Sequence, residues 1–470
     1  MTLTKDQIVA GLTAILGPDS VRASAQDMAG YLAEPRRRFT QRAQAVALPR
    51  TVAEVQKVMA WAHEVGVRII PQAGNTGLVG GQVPLHGDEV ILSISRLTGK
   101  RAVDVRAGNM VLNAGTTLEE AHTIADEAGM LFPLYIASQG SARIGGVLGS
   151  NAGGVQVLAY GNARELCLGV EAVMADGTLY QGLNALKKDN TGYDLKDLFV
   201  GSEGTLGIIT AATLKLFPKP AAHETALLNV ASPDDALTLF STLRARAGTT
   251  LTAFEIMPRI GFDFQLKHGM LSQDPSADIS PWYVLAELSV PQGVAEGGLA
   301  AALEAAFETG LVTNGVIAES LAQREMLWLA REQMSEVQSR EGASIKHDVS
   351  VPVAAVPELI ARGMEAALKV APGIRPVPFG HLGDGNIHFN FSQPEGADPK
   401  VFMAGAYAVH DAIYEIVLAL GGSVSAEHGI GQLKTALLAK VKDPVALAMM
   451  RSIKSALDPK GILNPGKVLG

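Results

Sequence analysis

The chain has 470 residues, 47% apolar and 18% charged, a composition that allows two or three folded domains and excludes a disordered chain. A net charge of −8 offers no general attraction to nucleic acid or an anionic membrane, so an acidic ligand has to be captured by a local cationic pocket. The single cysteine, Cys167, excludes an internal disulfide and a cysteine-rich metal site within the chain, and in the apolar run Leu166 to Val170 it reads as a small core residue.

Thr4 to Leu16 has helical spacing and stops at Gly17-Pro18. The opening Met-Thr-Leu-Thr-Lys-Asp has no apolar signal core, and no later segment has eighteen uninterrupted apolar residues, so the expectation is a cytoplasmic protein without a transmembrane segment. Glu34-Pro-Arg-Arg-Arg-Phe39 reads as a solvated or phosphate-facing loop. Thr51-Val-Ala-Glu54 predicts a capping box for a helix to about His63, and Val67 to Ile70 a short buried strand. That strand delivers Pro71-Gln-Ala-Gly-Asn-Thr-Gly-Leu-Val-Gly-Gly81, whose glycines 74, 77, 80 and 81 free the backbone N–H groups to face an anion; an ordinary glycine-rich turn is the alternative.

Glu89 to Ser95 and Asp104 to Asn113 read as strands, and Thr116-Thr-Leu-Glu119 as a second capping box opening a helix to about Ala128. Phe132-Pro-Leu-Tyr135 leads into a second glycine run, Gly140 to Gly154. Two such loops suit a large cofactor with a diphosphate. No Gly-x-Gly-x-x-Gly follows the first strand of a βαβ unit, which argues against a Rossmann site. Gly169 to Met174, Leu179 to Gln181 and Leu206 to Phe217 add further strands.

From Glu224 the pattern runs strand, helix, strand twice: Leu227 to Val230, a helix capped near Ser232-Pro233, Ala253 to Met257, then Trp282 to Ser289, a helix over Ala295 to Phe307, and Val312 to Ala318. This predicts an antiparallel sheet with helices on one face. A helix from about Leu321 to Arg340, a strand from Ser344 to Val351, a helix from Leu359 to Val370 and a hairpin from Arg375 to Ser392 follow. Helices near Lys400 to Leu420 and Thr435 to Leu457 precede Asn464-Pro-Gly-Lys467.

The chemistry concentrates in this half. A two-residue turn at Asp384-Gly385 makes His381 and His388 direct cross-strand neighbours, close enough to share a metal, with Asn386 and Asn390 on the same face. Two such histidines can also simply hydrogen-bond. Glu427, in Ser425-Ala-Glu-His-Gly-Ile-Gly431, completes a two-histidine, one-carboxylate set suited to zinc or a similar divalent ion. His428 beside it is a candidate base, or else a residue that orients Glu427.

Pro71 to Gly81, Ile144 to Gly154 and Gly201-Ser-Glu-Gly-Thr-Leu-Gly-Ile-Ile-Thr210 resemble the flavin-binding half of the vanillyl-alcohol oxidase-like flavoproteins, in their D-2-hydroxyacid dehydrogenase branch, with the hydroxyglutarate enzymes nearest. The resemblance covers nearly the whole chain; Ala73 departs from an expected glycine. It implies an α+β protein: a two-part FAD-binding domain over 1–220, an α+β substrate (cap) domain over 221–429 carrying the metal site, and a C-terminal helical segment over 430–470 returning to the FAD domain. It implies non-covalent FAD, since the phosphate loop resembles the branch without a tethering histidine or cysteine. The residues implied to hold FAD are Pro71, Gly74, Asn75, Thr76, Gly77, Leu78, Gly80, Gly81, Pro133, Ser138, Gly140, Ser141, Ile144, Gly145, Gly146, Ser150, Asn151, Ala152, Gly154, Gly204, Gly207, Ile208, Ile209 and Asn464.

The resemblance also implies a zinc ion on His381, His388 and Glu427, His428 as the base, and Arg331, Ser335, Lys346, Asn390 and His428 on the substrate. Ser335 departs from an expected threonine and His347 from a tyrosine; Arg331 in a surface salt bridge is the alternative to its substrate role. The implied activity is oxidation of a D-2-hydroxy acid, D-2-hydroxyglutarate first, with electrons passing to an external acceptor such as an electron-transfer flavoprotein or a quinone, in a possible homodimer. D-lactate or glycolate oxidation, a non-catalytic electron-transfer subunit and a flavin-free metallohydrolase are the alternatives.

Overall fold

The structure, a computed structural model, describes residues 3–39 and 41–470, so the first two residues of the N-terminal stretch lie outside it. The chain divides into two compact units, one of Met1–Gly154, Gly161–Pro218 and Glu427–Gly470, the other of Val155–Tyr160 and Lys219–Ala426. No helix among the described residues is long and apolar enough to cross a membrane.

In the first unit, Thr4 caps the helix Lys5–Leu16 with a reciprocal bond from Gln7. Thr51 caps Val52–Val65, but the Glu54 carboxylate takes the Arg50 N–H at 2.6 Å, so the expected box is half formed. The strand expected from Val67 is Ile69–Gln72, and that expected over Glu89 to Ser95 is Val90–Ser93 followed by the 3-10 turn Ile94–Arg96. Ile69–Gln72 and Ala45–Ala47 pair in parallel with the two sides of Val90–Ser93, and Val21–Arg22 closes one edge antiparallel. All four residues of Val90–Ser93 are buried, as a parallel strand covered on both faces requires.

The second sheet of this unit is antiparallel, in the order Lys100–Asp104, Asn109–Asn113, Ile208–Lys215, Cys167–Val173, Leu179–Gly182. The single strand expected over Asp104 to Asn113 is instead the turn and second arm of a hairpin, because Asp104 Oδ1 accepts the Ala107 N–H at 2.9 Å and Gly108 adopts φ +65°. Cys167 is buried in this sheet, and burial pushes its thiol up to about 12. The helix expected over Thr435 to Leu457 breaks into Thr435–Val441 and Pro444–Leu457, since Asp443 caps the second piece and Pro444 starts it.

The second unit is built on one antiparallel sheet in the order Asn314–Ile317, Ala222–Val230, Trp282–Val290, Leu251–Pro258, Arg375–His381, Asn386–Ser392, Ser344–Ile345, with Val349–Ser350 also paired to Asn386–Ser392. Helices cover both faces, not one as expected. Phe240 of the helix Pro233–Ala247 packs on Phe254, whereas Arg324 and Trp328 of Leu321–Glu332 reach Glu287 on the opposite face. The reason is in the central strands: all eight residues of Leu251–Pro258 are buried, so neither face can be left to solvent.

Glu341 anchors one corner of this unit, with Lys267 Nζ, Arg375 Nη1 and His268 Nε2 at 2.9, 2.5 and 2.6 Å. Burial alone would raise its pKa; the hydrogen bonds from Lys267, Arg375 and His268 and the charge of Arg375 outweigh it and hold the carboxyl at about 2. A carboxyl depressed in the folded state stabilises above its unfolded value of about 4.3, and that contribution disappears as pH falls through the folded value. Glu341→Gln is therefore expected to flatten the acid limb of the Tm–pH profile between about pH 4 and 2. An acid limb unchanged by the substitution would contradict this.

Candidate active site

In the first unit the two glycine runs meet in a cradle that side chains would fill. A Cβ on Gly74 would lie 2.1 Å from Ser141 O, and one on Gly145 would lie 2.6 Å from Ile94 Cδ1. The pocket has an empty volume of about 960 Å³, open solvent at its mouth included. Pro71, Gly74, Asn75, Thr76, Gly77, Gly81, Gly145, Gly146, Ser150, Ala152, Gly204, Gly207, Ile208 and Ile209 line it, together with His428. Leu78, Gly80, Pro133, Ser138, Gly140, Ser141, Ile144, Asn151, Gly154 and Asn464 are not part of that wall. Some act one step back: Asn464 Nδ2 donates to Gly81 O at 3.0 Å and to Glu203 O at 2.7 Å, tying the C-terminus to two wall segments. A long, mostly backbone-lined cradle of this kind fits an extended dinucleotide such as FAD.

Glu203 and Arg143 also line the pocket and were not singled out from the sequence. Each was visible as a charge set among glycines, in Gly201 to Gly204 and Gly140 to Gly146. Glu203 accepts the N–H groups of Ile430 and Gly431 at 2.7 and 2.8 Å, which fixes the turn just after His428. Burial pushes its carboxyl up, against the pull of those two N–H bonds and of Lys434 and Lys467.

In the second unit, period-two alternation along Asn386–Ser392 sends Ile387, Phe389 and Phe391 into the core and leaves Asn386, His388 and Asn390 on the other face. The expected direct pairing of His381 with His388 is not formed. His381 lies opposite Asn386, and His388 opposite Phe379. The connection is four residues, Leu382 to Gly385, because Gly385 N–H returns to His381 O at 3.0 Å and Asp384 Oδ1 takes the Asn386 N–H at 3.0 Å. The histidines remain diagonal neighbours on one face, with ring centroids 5.5 Å apart and ring nitrogens that approach within 4.8 Å.

Behind His381 stands Glu255, which the sequence reading missed. Its Oε1 is 2.7 Å from His381 Nδ1, and its Oε2 accepts Arg331 Nε at 2.7 Å. Burial opposes ionisation, but His381 and Arg331 outweigh it and hold the carboxyl at about 2. An ionised Glu255 keeps a proton on Nδ1 and turns Nε2 outward as a metal-ligating lone pair. The two imidazoles, one braced by a carboxylate, thus fit a divalent ion. Glu427 is where the chain leaves this unit, joined to Ala426, whose N–H reaches Asp348 O at 3.3 Å.

Arg331 is 6% exposed, with its guanidinium 4.9 Å from the Phe379 ring centre, which rules out the surface salt bridge. Arg331 and Ser335 do not share one helix. The helix expected to Arg340 breaks at Gln333 into Leu321–Glu332 and Met334–Val337. Lys346 is not within a strand; it lies between Ser344–Ile345 and Val349–Ser350. The ladder is interrupted there because His347 Nδ1 takes the Phe389 carbonyl at 2.8 Å. The register is the same on both sides of the gap, so Lys346 falls opposite Asn390 and Asp348 opposite His388. Lys346 Nζ is 2.9 Å from both Ser335 O and Ser335 Oγ. The structure therefore joins Lys346 to Ser335 and Arg331 to Glu255.

Residues 219–468 match the family described as FAD linked oxidases, C-terminal domain, and residues 43–182 the FAD binding domain. The chain is 38% identical over 442 residues to D-2-hydroxyglutarate dehydrogenase of Xanthomonas citri pv. viticola, covering 94% of this chain and 92% of that protein. It is 40% identical over 425 residues to the mitochondrial D-2-hydroxyglutarate dehydrogenase of Bos taurus, covering 90% and 76%. A Schizosaccharomyces pombe relative, 34% identical with 89% and 80% covered, carries the provisional name of a mitochondrial D-lactate dehydrogenase. Among solved structures, p-cresol methylhydroxylase with substrate bound shares the fold at a TM-score of 0.77, with 18% identity and 99% and 96% of the two chains covered.

Proposed function

The chain belongs to the FAD-linked oxidases, and we propose that within that family it oxidises D-2-hydroxyglutarate to the 2-oxo acid, passing the electrons through FAD to an external acceptor. The observation that carries this reading is the polar face of the hairpin, where His381, braced by Glu255, and His388 lie with Lys346 and Asn390. Identity of 38–40% to two D-2-hydroxyglutarate dehydrogenases across most of the chain supports the substrate.

In this reading His381, His388 and Glu427 would hold a divalent ion, zinc or a similar metal. The bound groups supply, respectively, the positive charge that makes a neighbouring hydroxyl more acidic and an acceptor for a hydride. The protein residues do the rest. His428 takes the proton of the 2-hydroxyl at a ring nitrogen while the C2 hydrogen leaves with its electron pair, so one proton and one hydride depart and C–O becomes C=O. Glu427 and His428 are consecutive, so the proposed ligand and base come from one short segment. Ser335, Lys346 and Asn390 serve the substrate's carboxylates, and Arg331 braces His381 through Glu255.

D-lactate oxidation is the second reading, favoured by Ser335 and His347 where the hydroxyglutarate enzymes suggest threonine and tyrosine, and by the Schizosaccharomyces relative. A panel of D- and L-2-hydroxy acids with an artificial acceptor separates the two. An electron-transfer flavoprotein or a quinone as acceptor, a cytoplasmic setting and a homodimer complete the proposal; fractionation and sedimentation test the last two. Purified protein is expected to be yellow and to release intact FAD on acid or heat treatment. Flavin that stays with the denatured polypeptide would contradict non-covalent binding.

A further inference from the structure

We propose that the guanidinium of Arg143 pairs with the diphosphate of bound FAD, an inference that rests on the flavin reading above. Arg143 precedes the short helix Ile144–Gly149, and its backbone is held on both sides. It bridges Thr117, while Ile144 N–H reaches Thr116 O at 3.0 Å and Leu118 N–H reaches Ala142 O at 2.9 Å. Ser141 and Ala142, just before it, are the residues against which Gly74 packs without room for a Cβ. Arg143 is thus rooted where the two glycine runs meet.

Arg143 lines the pocket, and among the described residues of the wall it is the only lysine or arginine. The guanidinium is half-buried, and burial acts against its charge. Nη1 donates to Gly115 O, and no carboxylate among the described residues forms an ion pair with it. Glu120 acts on it only from beyond ion-pair distance, its carboxylate accepting the Thr117 N–H at 2.8 Å. A partly desolvated cation with no carboxylate in ion-pair contact, in a chain of net charge −8, calls for an anion from outside. Glycine loops offer N–H dipoles but no full charge, whereas a planar fork of N–H donors matches phosphate oxygens two at a time.

The test titrates flavin-free protein with FAD, FMN and riboflavin and follows flavin fluorescence. Arg143→Gln drops the charge while keeping a polar side chain. It is expected to weaken FAD roughly ten- to a hundred-fold while leaving riboflavin, which has no phosphate, within about two-fold. Arg143→Lys should recover much of the FAD affinity, and added salt should weaken FAD more on the wild type than on Arg143→Gln. Flavin-free variants that melt with the wild type exclude a folding defect. Unchanged FAD affinity in Arg143→Gln overturns the assignment, as does an equal loss for FAD and riboflavin, which would place Arg143 in the pocket's architecture instead. A folded wild-type protein that binds no FAD fails the flavin reading itself, and this inference with it.

Discussion

Replacing His388 with alanine is expected to lower turnover of D-2-hydroxyglutarate by roughly 10²–10³-fold or more while the flavin spectrum stays unchanged. The residue owes this weight to its place: half-exposed on a strand whose other face is packed with Ile387, Phe389 and Phe391, and diagonal to His381. His381 is the braced member of the pair, since Glu255 and Arg331 fix its orientation, and His388 is the one whose loss leaves that bracing intact. A chelator should reproduce the effect on the wild type and add little to the variant. An unchanged Tm separates loss of the ion from loss of the fold, because the glycine cradle belongs to the other unit and flavin retention reports on that unit alone. Full turnover in metal-free protein would remove the metal from the mechanism.

Local features carried much of the fold and part of the candidate site into the sequence. Caps such as Thr4 and Ser232 and the alternation along Asn386–Ser392 act within a few residues, so their chemistry is visible there. Where two local solutions compete, tertiary contacts decide. In Thr116-Thr-Leu-Glu-Glu120 either threonine can open a capping box; Thr117 does, because the Thr116 hydroxyl is bonded to Gly99 N–H at 3.0 Å and Thr117 bridges Arg143. The same competition set the histidine register, where a dipeptide that favours a two-residue turn was overridden by the closure of Gly385 onto His381 and by Val351 O, 2.1 Å from where a Gly385 Cβ would be. Glu255 was illegible for a different reason. Its partners are 76 and 126 residues away, and only its charge inside the run Ala253 to Met257 hinted at them. The corrected position of Arg331 follows from that missed pair.

The second large effect is on substrate choice, and it separates Lys346 from Arg331. Read from the sequence, both were cations awaiting a substrate carboxylate; in the structure Arg331 already shares Glu255 with His381. Arg331→Met would leave a buried carboxylate with one cation fewer and loosen the brace on His381, a loss of about 3–5 kcal/mol by analogy with broken buried pairs. That loss falls on every substrate and on thermal stability as well. Lys346 bonds Ser335, and its register puts it opposite Asn390 on the polar face. If it meets the carboxylate that D-2-hydroxyglutarate has and D-lactate lacks, Lys346→Met should cost the dicarboxylate about 2–5 kcal/mol in kcat/KM and D-lactate much less. The measurement is kcat/KM for both acids in the wild type and the two variants, with Tm alongside. Selective loss in Lys346→Met and common loss in Arg331→Met is the expected pattern. Equal losses on the two acids in Lys346→Met would assign the lysine to the shared carboxylate or to the scaffold, and would favour the lactate reading.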